Sequence, residues 1–179
     1  LDPQHLEAYY QLGLAYQKLD DRAKATEALK RFEQLKAGRA DQAGPQDADA
    51  LFSLADSYYK LNKVEEAAQT IGKLSLLAEK DPQLRLQLGL LLIENEQAPE
   101  ALRQLESARR QLQPSFALQF GLGTTYLQLQ QPAKASDFFE EAITLKPHAR
   151  AYFYLGKAYA ELKDPRSVKA LREAVTRDA

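Results

Sequence analysis

Apolar residues in this chain return every three or four positions, in stretches separated by short polar breaks. Residues 116–147 show the pattern most clearly. Leu118, Leu122, Tyr126 and Leu129 share one helical face, Gln130-Gln131-Pro132 interrupts, and Phe138, Phe139, Ala142 and Leu145 share another. This spacing predicts two amphipathic helices joined by a tight turn. Neither helix can bury its stripe alone, so the pair needs similar pairs to stack against. The whole chain reads as ten helices, over 6–19, 22–37, 47–61, 64–78, 82–95, 98–112, 115–130, 132–145, 148–162 and 166–178, with no strand. The eight prolines agree with that phase. Pro3, Pro45, Pro82, Pro114 and Pro147 fall between pairs. Pro99, Pro132 and Pro165 fall at the start of second helices, where a missing N–H costs nothing.

The pairs are copies of one unit. A leucine followed by a small residue recurs at Gly13, Ala55, Gly89, Gly123 and Gly156, at steps of 42, 34, 34 and 33. Three residues later stand Tyr16, Tyr58, Leu92, Tyr126 and Tyr159. Twelve residues after the small position come Ala25, Ala67, Ala101 and Ala135, and four beyond those Leu29, Ile71, Leu105 and Phe139. A fixed period near 34 is the mark of a helix–turn–helix solenoid. Glycine inside a helix costs about 1 kcal/mol relative to alanine. Its return at one register therefore predicts a larger packing gain from close approach of the paired helices, with the tyrosine filling the wedge between them.

On these residues the chain resembles the tetratricopeptide repeat family over nearly all of its length. The resemblance implies an all-α fold, a right-handed α-α superhelix of about five units, at about 6–39, 48–81, 82–115, 116–148 and 149–179. Residues 1–5 read as the tail of a preceding repeat. The first step is eight residues longer than the period, which places a polar loop insertion at about 38–46. The third copy departs most, with Leu92 for tyrosine and Arg85 where the repeat start favours an aromatic, and is expected to pack less regularly.

Composition narrows the function. The net charge is −1 and basic side chains alternate with acidic ones, as in Arg103 beside Glu100 and Glu106, so no nucleic-acid face is expected. No apolar run approaches the roughly 18 residues of a membrane span, so no membrane insertion is expected. There is no cysteine, and His5 and His148 sit in separate inter-repeat turns, so no metal site, cofactor or catalytic centre is expected. Nothing chooses between cytoplasm and periplasm, and the alanine- and glutamine-rich repeats fit a bacterial protein.

The resemblance implies a protein or peptide partner, apolar or amphipathic, in the concave groove lined by the first helices. The matching positions are Tyr10 and Leu14 in the first unit and Phe52, Asp56 and Tyr59 in the second. The third has Leu86, Leu90 and Ile93, the fourth Phe120, Thr124 and Leu127, and the fifth Phe153 and Lys157, flanked by Arg150 and Tyr154. The lysine and asparagine clamp with which some relatives hold chaperone tails is absent: its positions carry Tyr10, Leu14, Ser53, Gln83 and Gln87. What remains is an apolar ladder, Tyr10, Phe52, Leu86, Phe120 and Phe153, with Gly121 expected to leave room beside Phe120. Two other readings stand beside the groove: a spacer or self-associating element with exposed array ends, and an accessory domain of an enzyme whose catalytic part lies elsewhere.

Overall fold

The computed structural model describes the backbone of residues 3–41 and 48–178 and the side chains of residues 8–35 and 48–177. Its ten α-helices are α1 (Pro3–Lys18), α2 (Arg22–Asp41), α3 (Ala48–Lys60), α4 (Val64–Leu77), α5 (Pro82–Glu94), α6 (Ala98–Arg109), α7 (Phe116–Gln128), α8 (Pro132–Leu145), α9 (Ala149–Glu161) and α10 (Arg166–Asp178), with a 3-10 turn at Ala78–Lys80 before α5. The described residues contain no strand. The fold is all-α, built of helix–turn–helix pairs. Two compact units divide the chain, Leu1–Leu77 and Ala78–Ala179. In the first, α1 packs on α2, α2 on α3 and α3 on α4. In the second each helix from α5 to α10 packs on the next, and the first helices also meet one another, α5 with α7 and α7 with α9.

One turn geometry closes every pair. Asp20, Asn62, Glu96, Gln130 and Lys163 all take φ between 55° and 59°, and each lies seven residues after its unit's small residue. Left-handed backbone strains a residue with a Cβ. Here two crossed hydrogen bonds hold it. In the fourth unit the Gln130 amide donates to the Leu127 carbonyl at 3.0 Å and the Gln131 amide to the Tyr126 carbonyl at 2.9 Å. The other four turns repeat both bonds, which is the Schellman pattern for satisfying helix-end carbonyls. The next residue begins the second helix. Asp21 caps α2 by accepting from the Lys24 amide, and Asp164 caps α10 by accepting from the Arg166 amide. The left-handed residue thus ends one helix and its neighbour leads into the next, which fixes the angle between them.

The small position then sets how closely the pair closes. A Cβ added to Gly13 would lie 2.6 Å from Leu29, one on Gly89 2.6 Å from Leu105, and one on Gly123 2.7 Å from Phe139. One on Gly156 would lie 2.6 Å from Leu171, which stands one residue earlier than its counterparts. The contact comes from the residue sixteen beyond the glycine, with the alanine at twelve alongside: a Cβ on Gly89 would be 3.5 Å from the Ala101 carbonyl oxygen. Leu105 and Phe139 are fully buried. The second unit holds Ala55 and Ile71 at these registers, both buried.

Successive pairs of the second unit are joined by a repeated polar latch. Tyr126 donates its hydroxyl to Glu106 at 3.1 Å, and Tyr159 donates to Glu140. Each carboxylate immediately follows the glycine's partner, Leu105 or Phe139. A cation covers each ring from the following helix, Lys134 at 5.1 Å over Tyr126 and Arg166 at 4.2 Å over Tyr159. The first unit carries the same stacking, with Lys24 over Tyr16 and Lys63 over Tyr58.

Several expectations need correction. Helix α2 runs to Asp41, so residues 38–41 of the expected loop continue the helix, and residues 42–47 lie outside the described residues. Helix α1 starts at Pro3, which puts His5 within its first turns and not in an inter-repeat turn, while Leu1 and Asp2 lie outside the described residues. The third copy is well packed: Leu88 and Leu92 are buried, and Arg85 donates toward Gln104 at 3.5 Å. A branched apolar side chain fills the tyrosine's wedge there without a polar partner. Leu145, read as part of an inward stripe, is exposed.

Two outcomes follow. Gly89→Ala should destabilise the chain by about 1–3 kcal/mol in urea unfolding, despite alanine's better helix propensity, because Leu105 must move. Adding Leu105→Ile, which recreates the Ala55 and Ile71 pairing, should recover part of the loss. Burial, followed by the Glu140 contact, pushes the Tyr159 phenol up to about 12. An unfolded tyrosine ionises near pH about 10, so the folded state holds the proton more tightly. The stability from this group is complete below pH about 10 and is lost as pH rises through about 12. The difference in phenolate absorbance between wild type and Tyr159→Phe should place that titration in this window.

Candidate interaction groove

In the second unit the first helices α5, α7 and α9 lie side by side and present the positions read as groove-facing. Their exposure differs sharply. Leu86 and Leu127 are buried, at 5% and 7% exposure, and belong to the core of the unit. Leu90, Ile93 and Phe120 are half-buried and lean on that core. Thr124 is half-buried, its hydroxyl donating to the Phe120 carbonyl at 2.9 Å. Phe153 is 47% exposed, and Lys157 is exposed. The space expected beside Phe120 is filled. A Cβ on Gly121 would lie 3.0 Å from Leu90 and 3.4 Å from Leu105, so this glycine seats α7 against α5.

The surface that remains is aromatic and cationic. Phe120 stacks on Phe116 at 5.5 Å with the rings 11° from parallel, and meets Tyr154 edge-on at 5.5 Å. Phe153 also meets Tyr154 edge-on at 5.5 Å, so four rings run from α7 to α9. The Arg150 guanidinium lies 5.3 Å over Phe120 and 6.0 Å over Tyr154, and the Lys157 ammonium 5.6 Å over Tyr154. His148 holds the start of α9, its Nδ1 accepting from the Arg150 amide at 3.1 Å, and its ring packs 5.7 Å from Phe116. The cap positions Arg150, and Arg150 bridges the two helices. A depression of about 450 Å³ opens beyond Phe153, bordered by Arg150, Ala174 and Val175.

Sequence reasoning missed Phe116 in this cluster. Its signal was present, since Phe116 precedes Phe120 by one helical turn and shares its face.

The first unit places its five positions on α1 and α3. Tyr10 is 40% exposed, with its ring 5.4 Å from Phe32 of α2. Leu14, Phe52 and Tyr59 are half-buried, and Asp56 is paired with Lys60 at 2.8 Å. This stretch is less aromatic and carries a self-paired carboxylate. Among the described residues no cluster of histidine and carboxylate groups is suited to a metal ion, and no helix is long and apolar enough to cross a membrane.

Sequence profiles of the tetratricopeptide repeat match residues 86–149 and 120–179, residues 24–91 and residues 6–38. Solved structures of MamA share the fold. One described as "Crystal structure of MamA protein" is 20% identical, with 99% of this chain and 93% of that one covered and a TM-score of 0.60. Another described as "Crystal structure of MamA" is 21% identical, covering 93% of this chain and 94% of that one with a TM-score of 0.62. "MamA 41-end from Desulfovibrio magneticus RS-1" is 17% identical, covering 97% and 95% with a TM-score of 0.63. No curated protein matches by sequence. Repeat register, turn geometry and profile matches agree along the described helices, and the chain belongs to the tetratricopeptide repeat family.

Proposed function

We propose that this chain is a protein-interaction scaffold that takes a peptide or partner helix against the α7–α9 face of its second unit. Tetratricopeptide repeats support an interaction scaffold in general. The observation that carries the finer reading is the exposed ring of Phe153 beside Tyr154 and Phe120, with Arg150 and Lys157 over those rings. Aromatic side chains with a few fixed polar groups are what a peptide groove offers: apolar contact for affinity and cations for register. The bound segment is therefore apolar with at least one carboxylate. Arg150 and Lys157 attract that carboxylate, and an arginine-rich peptide is repelled.

A second reading rests on α10, where Val168 and Val175 are 56% and 74% exposed on one apolar stripe. Two copies meeting there would hide both residues.

The two readings predict different outcomes. Panning a phage-displayed library of random 16-residue peptides on the full chain should enrich aromatic or aliphatic residues beside Asp or Glu. Phe153→Asp and Lys157→Glu should each weaken the selected peptides by tenfold or more. Selected peptides that bind both variants unchanged would remove the groove. For the second reading, light scattering should show a mass that rises with concentration and falls back in Val175→Lys. A monomer mass at every concentration would rule it out.

A further inference from the structure

The fourth pair has a depression where the pairs on either side of it hold an arginine. Three registers define the place: four residues before the glycine, and two and six residues beyond its partner on the second helix. The fifth pair sets Tyr152, Glu173 and Arg177 there. The Arg177 guanidinium pairs with the Glu173 carboxylate and lies 4.4 Å over the Tyr152 ring, so the space is filled from within. The third pair sets Arg85 at the first register. Its guanidinium donates to the Glu79 carbonyl at 3.0 Å and toward Gln104 at 3.5 Å. The fourth pair sets Gln119, Glu141 and Leu145 there, keeping the carboxylate without a guanidinium. A depression of about 230 Å³ remains, lined by these three with Pro114 and Thr144. Gln119 is 3% exposed; its Nε2 donates to Glu141, and its Oε1 is buried with no hydrogen-bond partner. Leu145 is 48% exposed. Among the described residues no cation pairs with Glu141, and the neighbouring Lys146 ammonium lies 6.0 Å over the Phe116 ring.

We propose that this depression binds an arginine side chain presented by a partner protein. The lining selects that chemistry. A guanidinium carries only donors, held in a planar fork. The depression offers a carboxylate and a buried carbonyl that lacks a donor, while the Thr144 hydroxyl is spent on the Glu140 carbonyl at 3.0 Å. Supplying a donor to a buried, unmatched acceptor removes a standing cost. Pro114 and Leu145 give the methylene stem of the arginine an apolar wall. A lysine fits less well, because an ammonium cannot meet a carboxylate with two parallel bonds. The fifth pair already uses this solution, with Arg177 on Glu173. Helices α6 and α9 pack on either side of the fourth pair, so the depression belongs to an interior pair. None of its lining residues belongs to the α7–α9 groove, whose Arg150 and Lys157 repel the same side chain.

The test follows the isotopically labelled full chain by nuclear magnetic resonance as an end-blocked Ala-Arg-Ala tripeptide is added. The Gln119 side-chain amide and the Leu145 methyl resonances should move together and saturate in the millimolar range expected of one side chain. An end-blocked Ala-Lys-Ala tripeptide should bind at least threefold more weakly. Glu141→Gln should weaken Ala-Arg-Ala about tenfold, since it removes the charge from the pair. Leu145→Arg copies the fifth pair, so it should fill the depression, abolish binding and raise the midpoint of thermal unfolding. Both substitutions are at exposed positions, and circular dichroism should show unchanged helicity. No saturable shift at Gln119 and Leu145, unchanged binding by either variant, or equal binding of Ala-Lys-Ala would overturn the proposal. Free arginine binding more tightly than the blocked tripeptide would assign the site to a small molecule and overturn the protein partner.

Discussion

The fold depends on a side-chain vacancy. At one register of each first helix there is room for only a hydrogen, or in the second unit the methyl group of Ala55, because a residue of the second helix occupies the space. Leu29, Leu105, Phe139 and Leu171 lie only 2.6 to 2.7 Å from where the Cβ of Gly13, Gly89, Gly123 and Gly156 would be. Interiors pack at crystal-like density, so even one extra carbon at such a contact is felt. Glycine's helix penalty of about 1 kcal/mol is offset by the burial of a whole leucine or phenylalanine, which contributes about 1.5–3 kcal/mol. The left-handed turn residue works with this contact. The turn sets the angle of the pair, and the glycine sets its separation.

The wedge beyond the glycine is where pairs join, and there the chain uses a polar device. A tyrosine hydroxyl bonded to a carboxylate of the preceding pair, with a cation on the ring, fixes register as well as depth. An apolar contact alone allows sliding by a fraction of a turn, whereas the hydroxyl has one acceptor to reach. The third copy, with Leu92 in place of tyrosine, keeps the burial and gives up the latch.

Much of this was legible from residue spacing. The period, the ten helices and the proline positions follow from helical periodicity, whereas the contact on the glycine, read from the sequence as the alanine twelve residues on, comes chiefly from the residue fifteen or sixteen on. The turn residues were not legible. Asp20, Asn62, Glu96, Gln130 and Lys163 share no chemistry, and a left-handed position without glycine leaves no trace in composition. The latch was hidden for another reason: Tyr126 and Glu106 are 20 residues apart and meet only because α6 packs on α7. The ladder of groove positions falls on the first helix of each pair. Periodicity distinguishes faces but not depth along one face. It ranked Leu86 and Leu127 with Phe153, although the first two are buried and the third is half open to solvent. The extension of α2 over residues 38–41 was obscured by Gly38, which reads as a helix end.

The most direct measurement is the nuclear Overhauser contact between each helical glycine and its partner in the isotopically labelled chain. The account predicts cross-peaks from the Gly89 Hα protons to the Leu105 methyl groups and from the Gly123 Hα protons to the Phe139 ring, with the Gly123 Hα resonances displaced by that ring's current. Glycine Hα protons at ordinary helical shifts, without those cross-peaks, would show that the pairs do not close on the small residue and would contradict the account at its base.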